Sequence, residues 1–131
     1  MSPDMLSKEY HTRMVDFYSL GALLYELLTG LPPFYSHNRD EMYSNIVNKE
    51  LTYFPPQLSK ESIQLLKGLL NKNPEHRLGY HKGIEEVKNM EFFKGVNWTL
   101  LSQKKLKPPN KMNPVFDHIS IKTEFFDPEY L

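Results

Sequence analysis

The most restrictive feature of the sequence is an apolar run at residues 17–28, which only two polar residues interrupt. Asp16 stands immediately before this run and is predicted to be its helix N-cap. Gly30 is predicted to end the helix, and Pro32 and Pro33 prevent its continuation. A helix that is apolar on nearly every side belongs in a protein interior. The rest of the chain therefore has to supply helices that cover it.

Three further segments show the apolar spacing that is typical of helices. They are residues 39–49, a segment that Ser59 is predicted to cap, and a short segment at residues 84–89. Beyond residue 103 this spacing is lost, and repeated prolines indicate an extended segment. The predicted fold class is mainly α, with an extended C-terminal tail.

Composition excludes several classes of protein. The 131 residues contain 16 Lys and Arg and 16 Asp and Glu, and this balance argues against nucleic-acid binding through charge. The absence of cysteine excludes a disulfide scaffold and a thiolate metal site. The apolar run is about half as long as a membrane span, and no signal peptide is visible. We therefore expect a cytoplasmic protein with no membrane span and no nucleic-acid partner.

Known catalytic patterns are absent from the sequence. The six glycines are separated, so no glycine-rich phosphate loop is present, and the five histidines form no metal-binding pattern. Asp16 is explained by helix capping. Arg77 lies in a predicted loop, where it is either an exposed side chain or a link to an acidic partner such as Asp4 or Asp16. No catalytic residue and no metal ligand is predicted.

Four segments, taken in order, resemble the second half of a protein kinase domain. Residues 2–4 (SPD) resemble the A-P-E motif. Residues 16–21 (DFYSLG) resemble the D-x-W-S-L-G sequence that begins the large central helix of the kinase C-terminal lobe (C-lobe). Residues 25–34 (YELLTGLPPF) resemble the sequence that follows it, and residues 70–79 (LNKNPEHRLG) resemble the L-x-x-x-P-x-x-R-L-G segment near the end of the domain.

The remaining sequence resembles the C-terminal extension of AGC-type serine/threonine kinases. The matching residues are Phe92, Phe93, Trp98, Leu101, Lys107, Pro108, Pro109, Phe125, Phe126 and Asp127. The resemblance implies a helical C-lobe portion of the protein-kinase-like fold at residues 1–93, from the A-P-E-like motif to the final helix. It implies an AGC C-terminal tail at residues 94–131.

The resemblance also gives roles to individual residues. The motif residues that it implies are Ser2, Pro3, Asp4, Asp16, Gly21 and Arg77. Arg77 would pair with Asp4, and Asp16 would cap the central helix and hold the catalytic-loop backbone. Glu26 matches a position that often contacts a substrate arginine in AGC kinases. Since a carboxylate on a mostly apolar helix requires a cationic partner, Glu26 either binds substrate or forms an internal ion pair.

None of the catalytic parts of a kinase is found in this sequence. The glycine-rich loop, the strand lysine, the H-R-D base and the D-F-G metal ligand precede the A-P-E motif in kinases, whereas this chain begins at that motif. The chain is therefore predicted to be a C-terminal fragment of an ATP-dependent kinase. It would supply substrate docking and scaffold, and would be inactive alone.

The fragment hypothesis implies specific partners. ATP and Mg would bind the full-length family member, not this chain alone. The partners would be a protein or peptide substrate with basic residues, and the missing N-lobe or a partner kinase. A fragment should expose apolar surface around Phe17, Tyr18 and Leu20. Two alternatives are a non-catalytic interaction module that resembles a kinase C-lobe and, less in keeping with the motifs, an unrelated helical binding domain.

Overall fold

The computed structural model describes residues 1–7 and 12–107, which are helical and contain no strand, as the sequence predicts. The α-helices are α1 (Pro3–Leu6), α2 (Met14–Thr29), α3 (Arg39–Asn48), α4 (Lys60–Leu69), α5 (Ile84–Lys88) and α6 (Trp98–Ser102). Two 3₁₀ turns lie at Pro74–His76 and Glu91–Phe93. None of the helices in this described part has the length and hydrophobicity of a membrane span.

The chain divides into two compact units, Met1–Gly95 and a second unit that begins at Val96. The first unit contains α1 to α5, and the second contains α6. Helix α6 lies in the segment that the resemblance assigned to the AGC C-terminal tail, before the extended part predicted beyond residue 103. The side chain of Asn97 accepts a hydrogen bond from the Leu100 N–H at the start of α6. Residues 108–131 lie outside the described residues. The domain boundary after residue 93 stays a prediction.

Helix α2 begins three residues earlier than the sequence predicted. It starts at Met14, and Asp16 therefore lies in its first turn and is not the N-cap. The Met14 N–H donates to the Thr12 hydroxyl at 3.2 Å, and the side chain of Met14 is buried. Burial of Met14 extends the helix, and a carboxylate in the first turn is still favourable beside the positive end of the helix dipole.

The first unit is built on the contact between α2 and α4. A Cβ added to Gly21 would lie 2.8 Å from Cβ of Leu69, so the two backbones approach as closely as they do only because residue 21 has no side chain. Ser59 caps α4, as predicted, by accepting a hydrogen bond from the Ser62 N–H. At the other end of α2, Gly30 adopts φ 85°, the left-handed conformation that glycine tolerates.

Two buried clusters form the core of this unit. The first contains Tyr18, Tyr25, Ile46, Leu66 and Leu70. The second contains Leu65, Leu69 and Val87. Leu24 packs against both clusters, which places α2 between them.

One face of α2 carries exposed leucine side chains within the described part of the chain. Leu20, Leu23 and Leu27 are 40%, 55% and 75% exposed. The expectation of exposed apolar surface is met at Leu20, whereas it is wrong for Tyr18, which is 1% exposed. Phe17 is half-buried against the second cluster. The residues at i, i+3 and i+7 therefore form an apolar stripe, which we call the α2 leucine face.

The loop that precedes α5 depends on one carboxylate. Glu86 accepts hydrogen bonds from the backbone N–H groups of Lys82 and Gly79, the latter at 2.9 Å. These two bonds, with that of Lys82 the stronger, lower the pKa of Glu86 below its ordinary value of 4.5. Because the folded state prefers the ionised carboxylate, the stabilisation is present above pH 4.5 and is lost as the pH falls through the folded pKa.

We expect Glu86→Gln to flatten the acid limb of the stability curve. The amide cannot ionise, so the melting temperature of the variant should fall less steeply than that of the wild type between about pH 5 and about pH 3. Thermal unfolding followed by circular dichroism measures both slopes. Glu85→Gln, on the same helix, is the control and should keep the wild-type slope. Equal slopes for wild type and Glu86→Gln would show that the Glu86 bonds do not form in solution.

Candidate functional site

Arg77 is the most buried charged side chain in the described part of the chain. All five of its N–H groups donate hydrogen bonds. Nε donates to the Asn71 carbonyl at 2.8 Å, Nη1 to the Met14 carbonyl at 2.7 Å, and Nη2 to the Lys72 carbonyl at 3.0 Å. The two remaining bonds go to Asp4. A buried guanidinium is tolerated only when its donors are satisfied in this way.

Asp4 supplies the opposite charge. Its two carboxylate oxygens accept from Nη1 at 2.9 Å and from Nη2 at 3.4 Å, and its side chain is 6% exposed. This forked geometry is the strong form of an Arg–carboxylate pair. The aspartate reaches Arg77 although it is one methylene shorter than the glutamate of the A-P-E motif. Of the two acidic partners that the sequence left open, the structure joins Arg77 to Asp4.

The residues before Asp4 hold it in place. Ser2 is buried and caps α1 by accepting a hydrogen bond from the Met5 N–H at 3.4 Å. Pro3 is buried at the first helical position, where its missing N–H costs nothing. Ser2 and Pro3 thus fix the single helical turn that presents Asp4 to Arg77. We call Asp4, Arg77 and their bonded carbonyl groups the Arg77 junction.

Tyr18 completes the surroundings of the junction. The Arg77 guanidinium carbon lies 5.2 Å from the centroid of the Tyr18 ring, within the range of a cation–π contact. Burial raises the pKa of Tyr18 to about 12, with Arg77 opposing this shift and Asp4 adding to it. The phenol is therefore neutral at physiological pH. It faces the cation with its ring, and its hydroxyl is buried without a hydrogen-bond partner in the described part of the chain.

Asp16 and Glu26 both lie on α2 and are exposed, and neither side chain is bonded to the Arg77 junction within the described residues. Neither takes part in an ion pair within residues 1–7 and 12–107. The internal ion pair that the sequence left open for Glu26 is therefore not formed among these residues. That Asp16 holds a catalytic loop and that Glu26 binds substrate stay predictions.

Some parts of the junction were not identified from the sequence. The acceptors at Met14, Asn71 and Lys72 are backbone carbonyls, which no residue type reveals. The sequence did contain a clue to Tyr18, because this residue occupies the position of the tryptophan in the D-x-W-S-L-G motif. The sequence analysis gave Tyr18 no role of its own and wrongly expected it to be exposed.

The family described as the protein kinase domain matches residues 1–93. The chain belongs to the protein kinase family. This match covers the A-P-E-like motif, the Arg77 junction and helices α2 to α5, which agrees with the order of motifs in the sequence.

Individual kinases resemble nearly the whole chain. Serine/threonine-protein kinase Sgk1 of Danio rerio is 45% identical over 130 residues, which is 99% of this chain and 29% of that kinase. Sgk1 of Gallus gallus has the same identity and coverage. Serine/threonine-protein kinase gad8 of Schizosaccharomyces pombe is 42% identical over 130 residues, or 22% of its length. The chain is thus an AGC-type kinase sequence that spans less than a third of these relatives.

The kinase family implies ATP and Mg for its full-length members. Among residues 1–7 and 12–107, no group of three or more His, Asp or Glu side chains could hold a metal ion. The separated glycines also offer no phosphate loop. The described residues therefore do not fit an ATP–Mg site, and the Arg77 junction has no free donor with which to bind a phosphate.

Proposed function

We propose that this chain is the C-terminal part of the catalytic domain of an AGC-type serine/threonine kinase, in which it supplies scaffold and substrate docking. The observation that carries the proposal is the α2 leucine face beside a complete Arg77 junction. The junction ties the A-P-E-like segment to α2 and to the segment that follows α4, while the leucine face exposes apolar side chains. An exposed apolar stripe on a central helix is typical of a contact surface.

In this proposal, the remainder of the kinase covers the leucine face and binds ATP and Mg, which this chain alone does not bind. The complete enzyme transfers the γ-phosphoryl group of ATP to a serine or threonine hydroxyl in a cytoplasmic protein substrate. Positioning of the substrate is a large part of this catalysis. Residues of this chain contribute by holding the A-P-E-like segment through Asp4 and by presenting Glu26 to basic substrate residues.

A chimeric kinase tests the proposal. The matching segment of Danio rerio Sgk1 is replaced by this chain, and phosphate transfer from ATP to a peptide that the parent kinase phosphorylates is measured. We expect the chimera to be active and the isolated chain to be inactive. A folded, monodisperse chimera without activity, or activity of the isolated chain, would contradict the proposal.

Glu26→Gln in the same chimera tests substrate docking. Glu26 is exposed on the last turn of α2, and loss of its charge should remove a charge-assisted contact with a substrate arginine. We expect kcat/KM to fall about tenfold or more for a peptide that contains the arginine. It should change little for the same peptide with alanine in that place. Asp40→Asn, on α3, is the control. Equal losses with both peptides would argue against an arginine contact.

The alternative function, a non-catalytic interaction module, also has an observation in its favour. Both hydrophobic clusters and the Arg77 junction are formed entirely by this chain. Such a unit could fold alone and bind a kinase through the α2 leucine face. The mass of the native protein separates the two functions.

A further inference from the structure

A pocket of about 410 Å³ lies between the end of α2 and the segment that connects α3 to α4. Its walls include Leu31, Tyr35 and Tyr53, all of which are exposed, with Tyr53 67% exposed. Tyr25 forms the buried side, and its hydroxyl donates to the Tyr53 carbonyl at 3.3 Å. The pocket has the size of a ligand site, and its exposed walls combine these aromatic and aliphatic side chains with the polar side chains of Lys49, Glu50, Thr52 and Gln57. We call it the tyrosine pocket.

A second pocket, of about 630 Å³, shares a wall with the first. The shared wall consists of Phe34, Glu50, Leu51 and Thr52. Its other walls include Lys67 and Lys72, and we call it the lysine pocket. Because they share a wall, the two pockets lie side by side and can be occupied by one elongated ligand.

The common wall is held rigidly. Phe34 adopts φ 64°, a left-handed conformation that is strained for a residue with a side chain. The Lys72 ammonium lies 4.1 Å from the centroid of the Phe34 ring and donates a hydrogen bond to the Ile46 carbonyl. The strained backbone and the cation–π contact together fix the ring between the two pockets.

The lysine pocket has an excess of positive charge. Its walls carry Lys67 and Lys72 but only one carboxylate, that of Glu50. Lys49 adds a further positive charge to the walls of the adjoining tyrosine pocket. None of the three lysines forms an ion pair within the described residues. Burial lowers the pKa of Lys72, with Glu50 opposing the shift, so its ammonium is partly desolvated and would gain from a carboxylate partner.

We propose that the tyrosine and lysine pockets form one groove that binds an extended peptide segment of a partner protein. The segment carries an aromatic or large aliphatic side chain for the tyrosine pocket and acidic side chains for the lysine pocket. Exposed aromatic walls provide an apolar anchor site, and the excess of lysines makes the adjoining pocket complementary to carboxylates.

This groove goes beyond the proposed kinase function. Glu26 is not among its wall residues, and Glu26 favours basic ligands, whereas the groove favours acidic ones. The groove would therefore bind a docking partner and not the residues that surround the phosphorylated hydroxyl. Its test does not depend on phosphate transfer, so failure of one proposal leaves the other unaffected.

Selection of peptides from a random dodecapeptide phage library tests the groove with the chain as it stands. We expect the enriched sequences to combine Phe, Tyr, Trp or Leu with two or more Asp or Glu residues. The most enriched peptide is then synthesised with a fluorescent label, and its affinity is measured by fluorescence polarisation. Enrichment of basic or uncharged sequences, or no enrichment, would overturn the proposal.

Variants connect the affinity to the groove. Tyr53→Ala and Lys67→Glu each change an exposed wall residue, and each should weaken binding about tenfold or more. Tyr80→Ala and Lys60→Glu make the same chemical changes outside the walls and should leave affinity unchanged. Circular dichroism shows that each variant is folded. Equal affinity of the groove variants and the wild type would place the peptide elsewhere and overturn the proposal.

Discussion

Replacing Arg77 with alanine should lower the free energy of unfolding by about 3–5 kcal/mol, the usual cost of breaking a buried ion pair. The variant leaves the Asp4 carboxylate buried without a cation and removes the donors to the Met14, Asn71 and Lys72 carbonyls. It also removes the cation from the face of Tyr18. Urea unfolding of the wild type and the variant, followed by circular dichroism, measures the difference.

Three controls distinguish the effect of breaking the junction on stability from the effect of losing a positive charge. Arg77→Lys keeps the charge but not the forked donor geometry, so its stability should be intermediate. Arg13→Ala removes an exposed arginine and should cost about 0.5 kcal/mol or less. In a double-mutant cycle, Asp4→Leu combined with Arg77→Met should cost less than the sum of the single changes. A decrease of less than about 1 kcal/mol in the free energy of unfolding for Arg77→Ala would show that the junction does not stabilise the fold as a buried ion pair.

Gly21→Ala should also be strongly destabilising, although alanine is the better helix former. The added Cβ would lie 2.8 Å from Cβ of Leu69 and 3.1 Å from two side-chain atoms of Leu70. Helices α2 and α4 would have to separate, and we expect a loss of about 1–3 kcal/mol in the free energy of unfolding. Gly21→Val, with a larger side chain, should cost more.

Ser19→Ala is the matched control for this change. Ser19 lies on the exposed side of the same helix, and its hydroxyl donates only to the Val15 carbonyl one turn earlier. Its replacement should leave stability within about 0.5 kcal/mol of the wild type. If Gly21→Ala were as stable as the wild type, the close approach of α2 and α4 would be refuted.

Much of the fold could be predicted from local patterns. Ser59 as a helix cap and Gly30 as a helix end were both identified correctly, because each acts on the backbone of its own helix and depends mainly on residue type. The start of α2 was placed three residues late because Asp16 is a favourable cap by type. The position of Met14 in the core, which decides the boundary, depends on tertiary contacts that the local sequence does not show.

The Arg77 junction was predictable only in part. The pairing with Asp4 followed from the resemblance, because 73 positions separate the two residues and local physics gives no reason to join them. The carbonyl acceptors depend on the backbone path and have no signature in the sequence. The α2 leucine face shows a similar limit, since the run at residues 17–28 predicts burial but not which side this chain leaves uncovered.

The two exposed features of α2 have different chemistry and different proposed partners. The leucine face is apolar, and we assign it to the rest of the kinase. Glu26 is charged, and we assign it to substrate. A change such as Leu27→Ser should therefore weaken assembly or stability of the chimeric kinase without changing its preference for arginine. Glu26→Gln should instead reduce the preference for arginine without weakening assembly or stability.

The mass of the native protein shows whether this chain works as part of a larger kinase. It is measured by immunoblotting of source extract with an antibody raised against residues 95–131. If the chain is part of a larger kinase, we expect a band far above the 15.5 kDa of this chain. A single band at 15.5 kDa would contradict it and would favour the non-catalytic interaction module.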